Sequence, residues 1–255
     1  MKIDTTFNFY SDSNGKDPDS YSLTLKQYHK LLWSKTLPKG KKFTLTDVKR
    51  GEYLYHNSEV GEFFLGSDAI THSYKYHNKK KELLQQIPNE VNELFDAGST
   101  IGGYIIFPNN RIDNKHTINQ ARGSLPIIDD RFDLTLECIR MFYSGLDSPL
   151  FNVLNRYKPF FDLFGDFTGY VDFFLLNDLV DNQENVKFYL PFDNFAKKPR
   201  FNSTDEYLYY KSNVMSFIQA RNRRIEEYSK TLLTNWEKKK DISINLSLGY
   251  YLSIS

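Results

Sequence analysis

Charged side chains that could bind or activate a ligand are concentrated in one stretch of the chain, residues 117–143. Its sequence is TINQARGSLPIIDDRFDLTLECIRMFY, in which a loop carrying Arg122 runs into an apolar helix. At 100° per residue, the charged side chains of that helix share a single narrow arc. They are Asp130, Asp133, Glu137 and Arg140.

This charged arc, together with two neighbouring arginines, suggests two kinds of chemistry. The carboxylates of Asp133 and Glu137 are candidate catalytic groups, and they could also hold a divalent cation. The guanidinium groups of Arg122, Arg131 and Arg140 are candidate ligand-binding groups, because arginine binds phosphate through two parallel hydrogen bonds.

The same residues also have a structural interpretation, which we prefer because ion pairs are common on helices. Glu137 can pair with Arg140, and Asp130 can stabilise the N-terminus of the helix. Asp133 and Glu137, however, repel each other at i,i+4. Because a cation or a nearby arginine would relieve this repulsion, the functional hypothesis stays open.

The helix that must position these groups is predicted to begin at Asp129. One of its faces is wholly apolar, and further apolar residues cover most of the remaining surface, so we expect the helix to be buried. The residues of the apolar face are Ile128, Phe132, Leu136, Ile139 and Tyr143. The charged arc would then face a partner, a cleft or a thin strip of solvent.

A second basic group lies on a long helix predicted at about 204–238. Arg221 and Arg224 are candidate ligand-binding residues that could grip phosphates, and Tyr228 beside them could stack a base. A solvated helix face is the simpler interpretation, because two glutamates follow immediately and nearly cancel the local charge.

Tyr-Leu-Tyr-His at 53–56, followed by Asn-Ser, resembles the strand-borne histidine motif of ADP-ribosyltransferases, which grips a nicotinamide dinucleotide. His56 is therefore a further candidate ligand-binding residue. For the tyrosine and glutamate of such an enzyme, spacing alone allows Glu62, Tyr74 and Tyr76. The histidines lack the i,i+4 pair of a helical metal site, and the sequence contains no phosphate-binding glycine loop and no nucleophile elbow.

Composition excludes several classes of protein. With 40% hydrophobic and 16% aromatic residues, the 255-residue chain can bury a core and is not disordered. A net charge of +1 provides no bulk attraction for a polyanion, so a nucleic-acid site would have to be a local basic patch. The lysine runs at 79–81 and 238–240 are predicted to be solvated instead. A single cysteine, Cys138, excludes an intrachain disulfide and a cysteine-rich zinc site.

The order of the elements predicts an α+β fold, a single domain with a small mixed or antiparallel sheet and a largely helical C-terminal half. Residues 1–110 are predicted to be β-rich, residues 111–238 helix-rich, and residues 241–255 a strand-like tail. The expected strands are 3–10, the pieces KKFTL, EYLYH and EFFLG, and the buried run 100–108.

The strand-like tail is predicted from its spacing. Apolar residues occupy every second position from Ile242 to Ile254, which is the period of a strand with one apolar face. An isolated strand could not keep that face out of water. We therefore expect the tail to pair with the edge of the sheet or across a dimer interface.

Several sequence blocks resemble a family of uncharacterised prokaryotic proteins, known only as a domain of unknown function. The resemblance extends to about Tyr228 and implies an intracellular bacterial or phage-related protein without assigning catalytic residues. The blocks are KLLWSKTLPKG, YLYHNSEVGEFFLGSDAI, GGYIIFP, INQARG, DRFDLTLECIR, FTGYVDFFLLNDLV and QARNRRIEEY.

The sequence thus predicts an intracellular prokaryotic protein, of phage-defence or toxin-like type, that engages RNA or a nucleotide through its arginine and carboxylate cluster. The alternatives are an ADP-ribosyltransferase-like enzyme around His56 and a non-catalytic module that binds a protein partner or a second copy of the chain. No apolar segment suits a signal peptide or a bilayer span, so we expect a cytoplasmic protein with no membrane partner. The sequence assigns no cofactor, no metal and no reaction.

Overall fold

The computed structural model describes residues 2–47 and 54–252, with the side chains of the last helix described as far as residue 232. Three helices open the chain: α1 (Phe9–Asp12), α2 (Pro18–Tyr21) and α3 (Leu23–Trp33). A hairpin follows, made of β1 (Leu54–Ser58) and β2 (Gly61–Ala69). Two helices, α4 (Lys81–Leu84) and α5 (Pro88–Gly98), then lead to β3 (Tyr104–Pro108).

The rest of the described chain is helical or irregular. Its helices are α6 (Ile118–Ser124), α7 (Phe132–Tyr143), α8 (Phe151–Arg156), α9 (Lys158–Phe161), α10 (Phe167–Phe173) and α11 (Thr204–Leu252). The predicted α+β single domain with a small antiparallel sheet and a helical C-terminal half is therefore confirmed. Among the described helices, none is long and apolar enough to cross a bilayer.

The sheet has three antiparallel strands in the order β1–β2–β3. Leu65 is its central apolar position, since it pairs with Leu54 on one side and with Pro108 on the other. All five residues of β3 are buried, as the run of β-branched and aromatic residues predicts. The sheet brings Asp68 of β2 into the interior, where it matters for the site described below.

The predicted β-rich character of residues 1–110 is wrong, because this segment contains five helices beside the three strands. The expected strand at 3–10 is replaced by a turn and α1, whose first turn is capped when the Asn8 side chain accepts from the Ser11 N–H. KKFTL forms only an isolated bridge, Thr36 with Lys42. Apolar alternation over so short a run did not distinguish a strand from an irregular segment whose apolar side chains are buried.

The apolar face predicted for α7 is confirmed, since Ile128, Phe132, Leu136 and Ile139 are all fully buried. The helix begins three residues later than predicted. Asp129 and Asp130 have φ angles of 51° and 59°, a left-handed conformation that cannot belong to a right-handed helix. These two aspartates form a tight corner between α6 and α7.

The near-heptad spacing of apolar residues in α11 predicts one buried face, made of Leu208, Met215, Ile218, Ile225 and Leu232. Ile218 and Ile225 are buried as predicted, whereas Leu208 is exposed. The buried residues of the helix recur every three or four positions. They are Tyr207, Tyr210, Val214, Phe217, Ile218, Arg221, Ile225 and Ser229.

The prediction of a strand at 241–255 is wrong for residues 241–252, because α11 continues through them, and the last three residues lie outside the described chain. No proline interrupts residues 204–252, and the first glycine is Gly249. Extending an existing helix costs far less than nucleating one, whereas a strand needs a partner. The local continuity of the helix therefore prevails over the period-two pattern.

Candidate functional site

Arg122 lies at the C-terminal end of α6 and is fully buried. Its guanidinium group donates to the carboxylate of Asp68 on β2, to Thr135 Oγ1 at 2.9 Å and to the backbone carbonyl of Asp130. Burial by itself would lower the pKa of Arg122, but Asp68 and Asp130 raise it above its ordinary value. Arg122 is thus a permanent internal cation that joins the sheet to α7.

Arg131 and Asp133 form a second internal pair, in which both side chains are buried. The guanidinium of Arg131 donates to both carboxylate oxygens of Asp133. The pair also holds a loop, because the Tyr189 N–H donates to Asp133 Oδ2 at 2.9 Å and Arg131 donates to the Pro199 carbonyl at 3.3 Å. One ion pair therefore fastens both ends of the segment 189–199.

Glu137 and Arg140 form a bidentate pair on α7, with N–O distances of 2.7 and 2.8 Å. The Glu137 side chain is 8% exposed and that of Arg140 is 29% exposed. The expected repulsion between Asp133 and Glu137 is relieved by the arginines that neutralise each of them. Among the residues whose side chains are described, no group of three or more acidic, histidine or cysteine side chains is arranged to hold a metal ion.

The arginines of α11 differ from each other in environment. Arg221 is fully buried and donates to the carbonyls of Gly102, Tyr104 and Phe174, so the preferred prediction of a solvated face is wrong for this residue. Burial lowers its pKa to about 10. Arg224 is partly exposed and pairs with Asp178 through two 2.9 Å hydrogen bonds.

His56 lies inside the domain, 1% exposed. Its ring stacks on Phe43, with 4.2 Å between the centroids, and the centroid of the Phe63 ring lies 6.2 Å away. Both ring nitrogens have partners, Nδ1 on the Thr44 backbone and Nε2 on Ser58 Oγ at 2.8 Å. Burial lowers the pKa of His56, so it is a neutral packing residue with no face open to a dinucleotide.

An open cavity of about 670 Å³, which we call the main cavity, lies beside these ion pairs. Its wall is mostly the segment that the Arg131–Asp133 pair fastens. The lining residues are Ile127, Arg131, Leu134, Leu190, Pro191, Phe192, Asp193, Phe195, Lys197, Lys198, Pro199, Arg200, Asn202, Asp205, Glu206 and Tyr209.

The backbone of this wall is strained where the aromatic side chains enter the cavity. Asn194 and Phe195 have φ angles of 56° and 63°, and the left-handed region is unfavourable for a residue as bulky as phenylalanine. Such strain costs about 1–3 kcal/mol per residue and is found most often at ligand sites. Arg200 supports the far end of the wall by pairing with Asp129 at 2.9 Å.

The sequence matches a family described as a family of unknown function, DUF6994, over residues 3–225. The chain belongs to the DUF6994 family. No curated protein and no solved structure matches it. The matched residues of this DUF6994 protein include the main cavity and all of the internal ion pairs described above.

Of the sequence-predicted site residues in this DUF6994 protein, Arg131 lines the main cavity, and its partner Asp133 lies directly behind it. Arg122, Glu137 and Arg140 belong to α6 and α7 but do not line the cavity, and His56 lies elsewhere in the core. Within the predicted cluster, the Arg131–Asp133 pair therefore supports the wall of the cavity, and the charge of Arg131 is directed to Asp133.

Sequence reasoning missed the residues that do face the main cavity. The segment FDNFAKKPRF at 192–201 interleaves aromatic and basic residues within a loop, a combination typical of surfaces that bind nucleic acids or nucleotides. The sequence marks this segment only by its local composition. Because its apolar residues follow neither a helical nor a strand period, a search for periodic elements does not detect it.

Proposed function

We propose that this protein binds a nucleotide in the main cavity, with the base among the aromatic side chains and the phosphate at Lys197 and Lys198. The observation that carries the proposal is the combination, in one cavity, of the exposed Tyr209 ring and two partly buried phenylalanine rings with two lysines that have no acidic partner among the described residues. The ligand is the nucleotide that the sequence also predicts, but the residues proposed to contact it differ from those predicted.

The size of the main cavity suits a small ligand. Binding sites for such ligands measure about 300–1,000 Å³ and are lined mainly by apolar and aromatic side chains with a few polar groups. At about 670 Å³, the main cavity lies within that range. Leu134, Leu190 and Ile127 supply part of its apolar lining.

The aromatic side chains can stack a base. Tyr209 is 56% exposed on α11, and Phe195 is held edge-on to Phe192 at 4.9 Å between centroids. Phe192 in turn is stacked on Phe188 at 4.1 Å, which fixes its ring without a ligand. Stacking on such rings contributes about 1–3 kcal/mol per base.

The charges of the main cavity direct a phosphate to one place. Arg131 and Arg200 are neutralised by their aspartates, whereas Lys197 and Lys198 are exposed. The Glu206 carboxylate accepts from the Asn202 N–H and belongs to the first turn of α11, where a negative charge stabilises the helix. Asp193 and Asp205 also line the cavity, but neither forms an ion pair with the two lysines among the described residues. Lys197 and Lys198 are therefore the cations of the lining that remain for a phosphate.

Calorimetric titration with adenosine, guanosine, cytidine and uridine monophosphates and triphosphates tests the proposal. We expect binding by the native chain, weakened at least tenfold by Lys197→Glu with Lys198→Glu and unaffected by the charge-matched pair Lys39→Glu with Lys115→Glu, both exposed and outside the cavity lining. Tyr209→Ala should weaken binding about fivefold or more, whereas Tyr21→Ala, which removes an equally exposed tyrosine elsewhere, should not. Absence of binding at millimolar nucleotide, or equal affinities for the lysine variant and its control, would refute the proposal.

A phage-defence or toxin-like role, an ADP-ribosyltransferase-like reaction and a protein partner stay predictions. A nucleotide site is compatible with the first, because defence and toxin proteins that act on cellular nucleotide or RNA pools need one. Expression of the native chain and of the Lys197→Glu, Lys198→Glu variant in phage-challenged cells tests that role, and equal phage titres in both would count against it.

A further inference from the structure

A second cavity, of about 350 Å³, lies where the segment after β2 meets the start of α5. Its polar lining includes Lys75, His77, Asn78, Lys81 and Asn92, and none of its lining residues is acidic. It therefore differs from the main cavity, whose lysines share their surroundings with carboxylates.

The groups around the second cavity favour an anion. Lys81 has no ion pair among the residues described, and Lys75 is held over the Phe95 ring at 4.2 Å. The Nδ1 atom of His77 is buried and lacks a hydrogen-bond partner within the described chain. Helix α5 begins at Pro88 and has no side-chain cap on its N–H groups, but Glu90 in its first turn partly offsets the positive end of the helix. The attraction for an anion therefore comes from the lysines.

Lys80 connects the second cavity to the main one. It precedes Lys81, which lines the second cavity, and its Nζ donates to the backbone carbonyl of Phe201 and lies 5.1 Å from the centre of the Phe201 ring. Phe201 stands between Arg200 and Asn202, which both line the main cavity. The side chain of Lys80 thus lies between the two linings.

We propose that the ligand is a single-stranded oligonucleotide, which places one nucleotide in the main cavity and the phosphate of a neighbouring nucleotide in the second cavity, beside Lys75 and Lys81. This inference rests on the proposed function, since the main cavity must bind a nucleotide for the second to bind its neighbour. Simultaneous engagement of the two sites by one chain raises affinity beyond that of either site alone.

The test compares a nucleoside monophosphate with RNA and DNA hexanucleotides of the same base, using fluorescence anisotropy and competition at several salt concentrations. We expect the native chain to bind a hexanucleotide at least tenfold more tightly than the monophosphate. Lys75→Gln with Lys81→Gln should remove that gain, leave monophosphate affinity unchanged and reduce the slope of log affinity against log salt by about 0.7, the contribution of one phosphate. The RNA and DNA arms identify which backbone the second cavity accepts.

Two controls keep the outcomes separate. Lys75→Arg with Lys81→Arg retains both charges and should bind the hexanucleotides as the native chain does, while Lys39→Gln with Lys115→Gln removes two charges elsewhere and should also have no effect. Equal affinities for monophosphate and hexanucleotides overturn the inference while leaving the proposed function intact. Binding of neither overturns both.

Discussion

Several arginine side chains of this protein are buried. Arg122, Arg131 and Arg221 each lie inside the domain, although arginine is the side chain most suited to phosphate. The first two are neutralised by aspartates, whereas the third donates hydrogen bonds to backbone carbonyls. Removing one partner of such a pair costs much more than the pair contributes, because the remaining charge stays buried.

The Arg131–Asp133 pair is the clearest case. We expect Arg131→Met to reduce the free energy of unfolding by about 3–5 kcal/mol, since Asp133 would remain buried without its cation. Glu137→Ala should cost only about 1 kcal/mol, because the Arg140 it leaves behind reaches solvent. Urea denaturation of both variants measures the difference, and equal costs would contradict the structural role assigned to Arg131.

Arg131→Met with Asp133→Leu provides the control for that experiment. Replacing both charges by apolar groups removes the unpaired carboxylate, so most of the lost stability should return. The hydrogen bonds to Tyr189 and Pro199 would still be lost. We therefore expect the double variant to fold stably and yet to bind nucleotide weakly, because the wall of the main cavity is no longer fastened.

The buried carboxyl group of Asp19 is expected to make the free energy of unfolding depend on pH. It accepts a hydrogen bond from Ser67, while its Oδ1 atom is buried with no hydrogen-bond partner among the described residues. Burial raises the pKa of Asp19 from 3.8 to about 7. The folded state thus holds a proton that the unfolded state releases near pH 4, so this residue makes stability fall as pH rises from about 4 to 7.

Asp19→Asn, which cannot ionise, should remove that loss. We expect the variant to become more stable relative to the native chain as the pH increases from 5 to 7.5. The Tm difference should grow by an amount that corresponds to roughly 2–4 kcal/mol in the free energy of unfolding. A pH-independent difference between Asp19→Asn and the native chain would show that the Asp19 carboxylate is ionised throughout.

At the scale of elements, α7 is the helix that the sequence predicted best. Phe132 is fully buried, and the guanidinium of Arg122 lies 5.7 Å from the centre of its ring. We expect Phe132→Ala to destabilise the fold by about 3–5 kcal/mol through lost burial and a residual cavity. The partly buried Phe142 on the same helix is the control and should cost clearly less, as measured by thermal or urea unfolding.

Local pattern was sufficient to predict α7, the β1–β2 hairpin and β3, because each has a regular apolar period and a clear terminus. It was insufficient for the charged residues. Arg122 and its partner Asp68 are 54 positions apart, and Arg131 reaches Pro199 across 68. Whether an arginine faces a ligand or an internal carboxylate depends on such distant contacts, which a single sequence does not contain.

The main cavity was missed for a related reason. Its aromatic and basic residues lie on an irregular segment, and the segment is held by the Arg131–Asp133 pair rather than by a period of its own. The sequence therefore identified the supporting cluster and interpreted it as the site. The groups that face the open space became evident only once the fold placed residues 190–202 over α7.

At the scale of the whole molecule, α11 extends well beyond the DUF6994 segment. It has 49 residues, so it is about 70 Å long, and the family match ends at residue 225. We expect deletion of 241–255 to leave the Tm within about 2 °C of the native value and the nucleotide affinity unchanged. A drop of more than about 5 °C, or conversion of a dimer to a monomer, would instead show that the end of α11 is part of a packed interface.

Intermolecular nuclear Overhauser effects between ligand and protein provide a direct test of the claim that the main cavity holds the base of a nucleotide against its aromatic wall. With phenylalanine and tyrosine rings isotope-labelled, we expect contacts from the base protons to Phe195 and Tyr209. Their assignments come from Phe195→Leu and Tyr209→Leu. Contacts confined to rings outside the main cavity, such as Tyr21 or Tyr76, or a bound nucleotide with no contact to either wall residue, would contradict the claim.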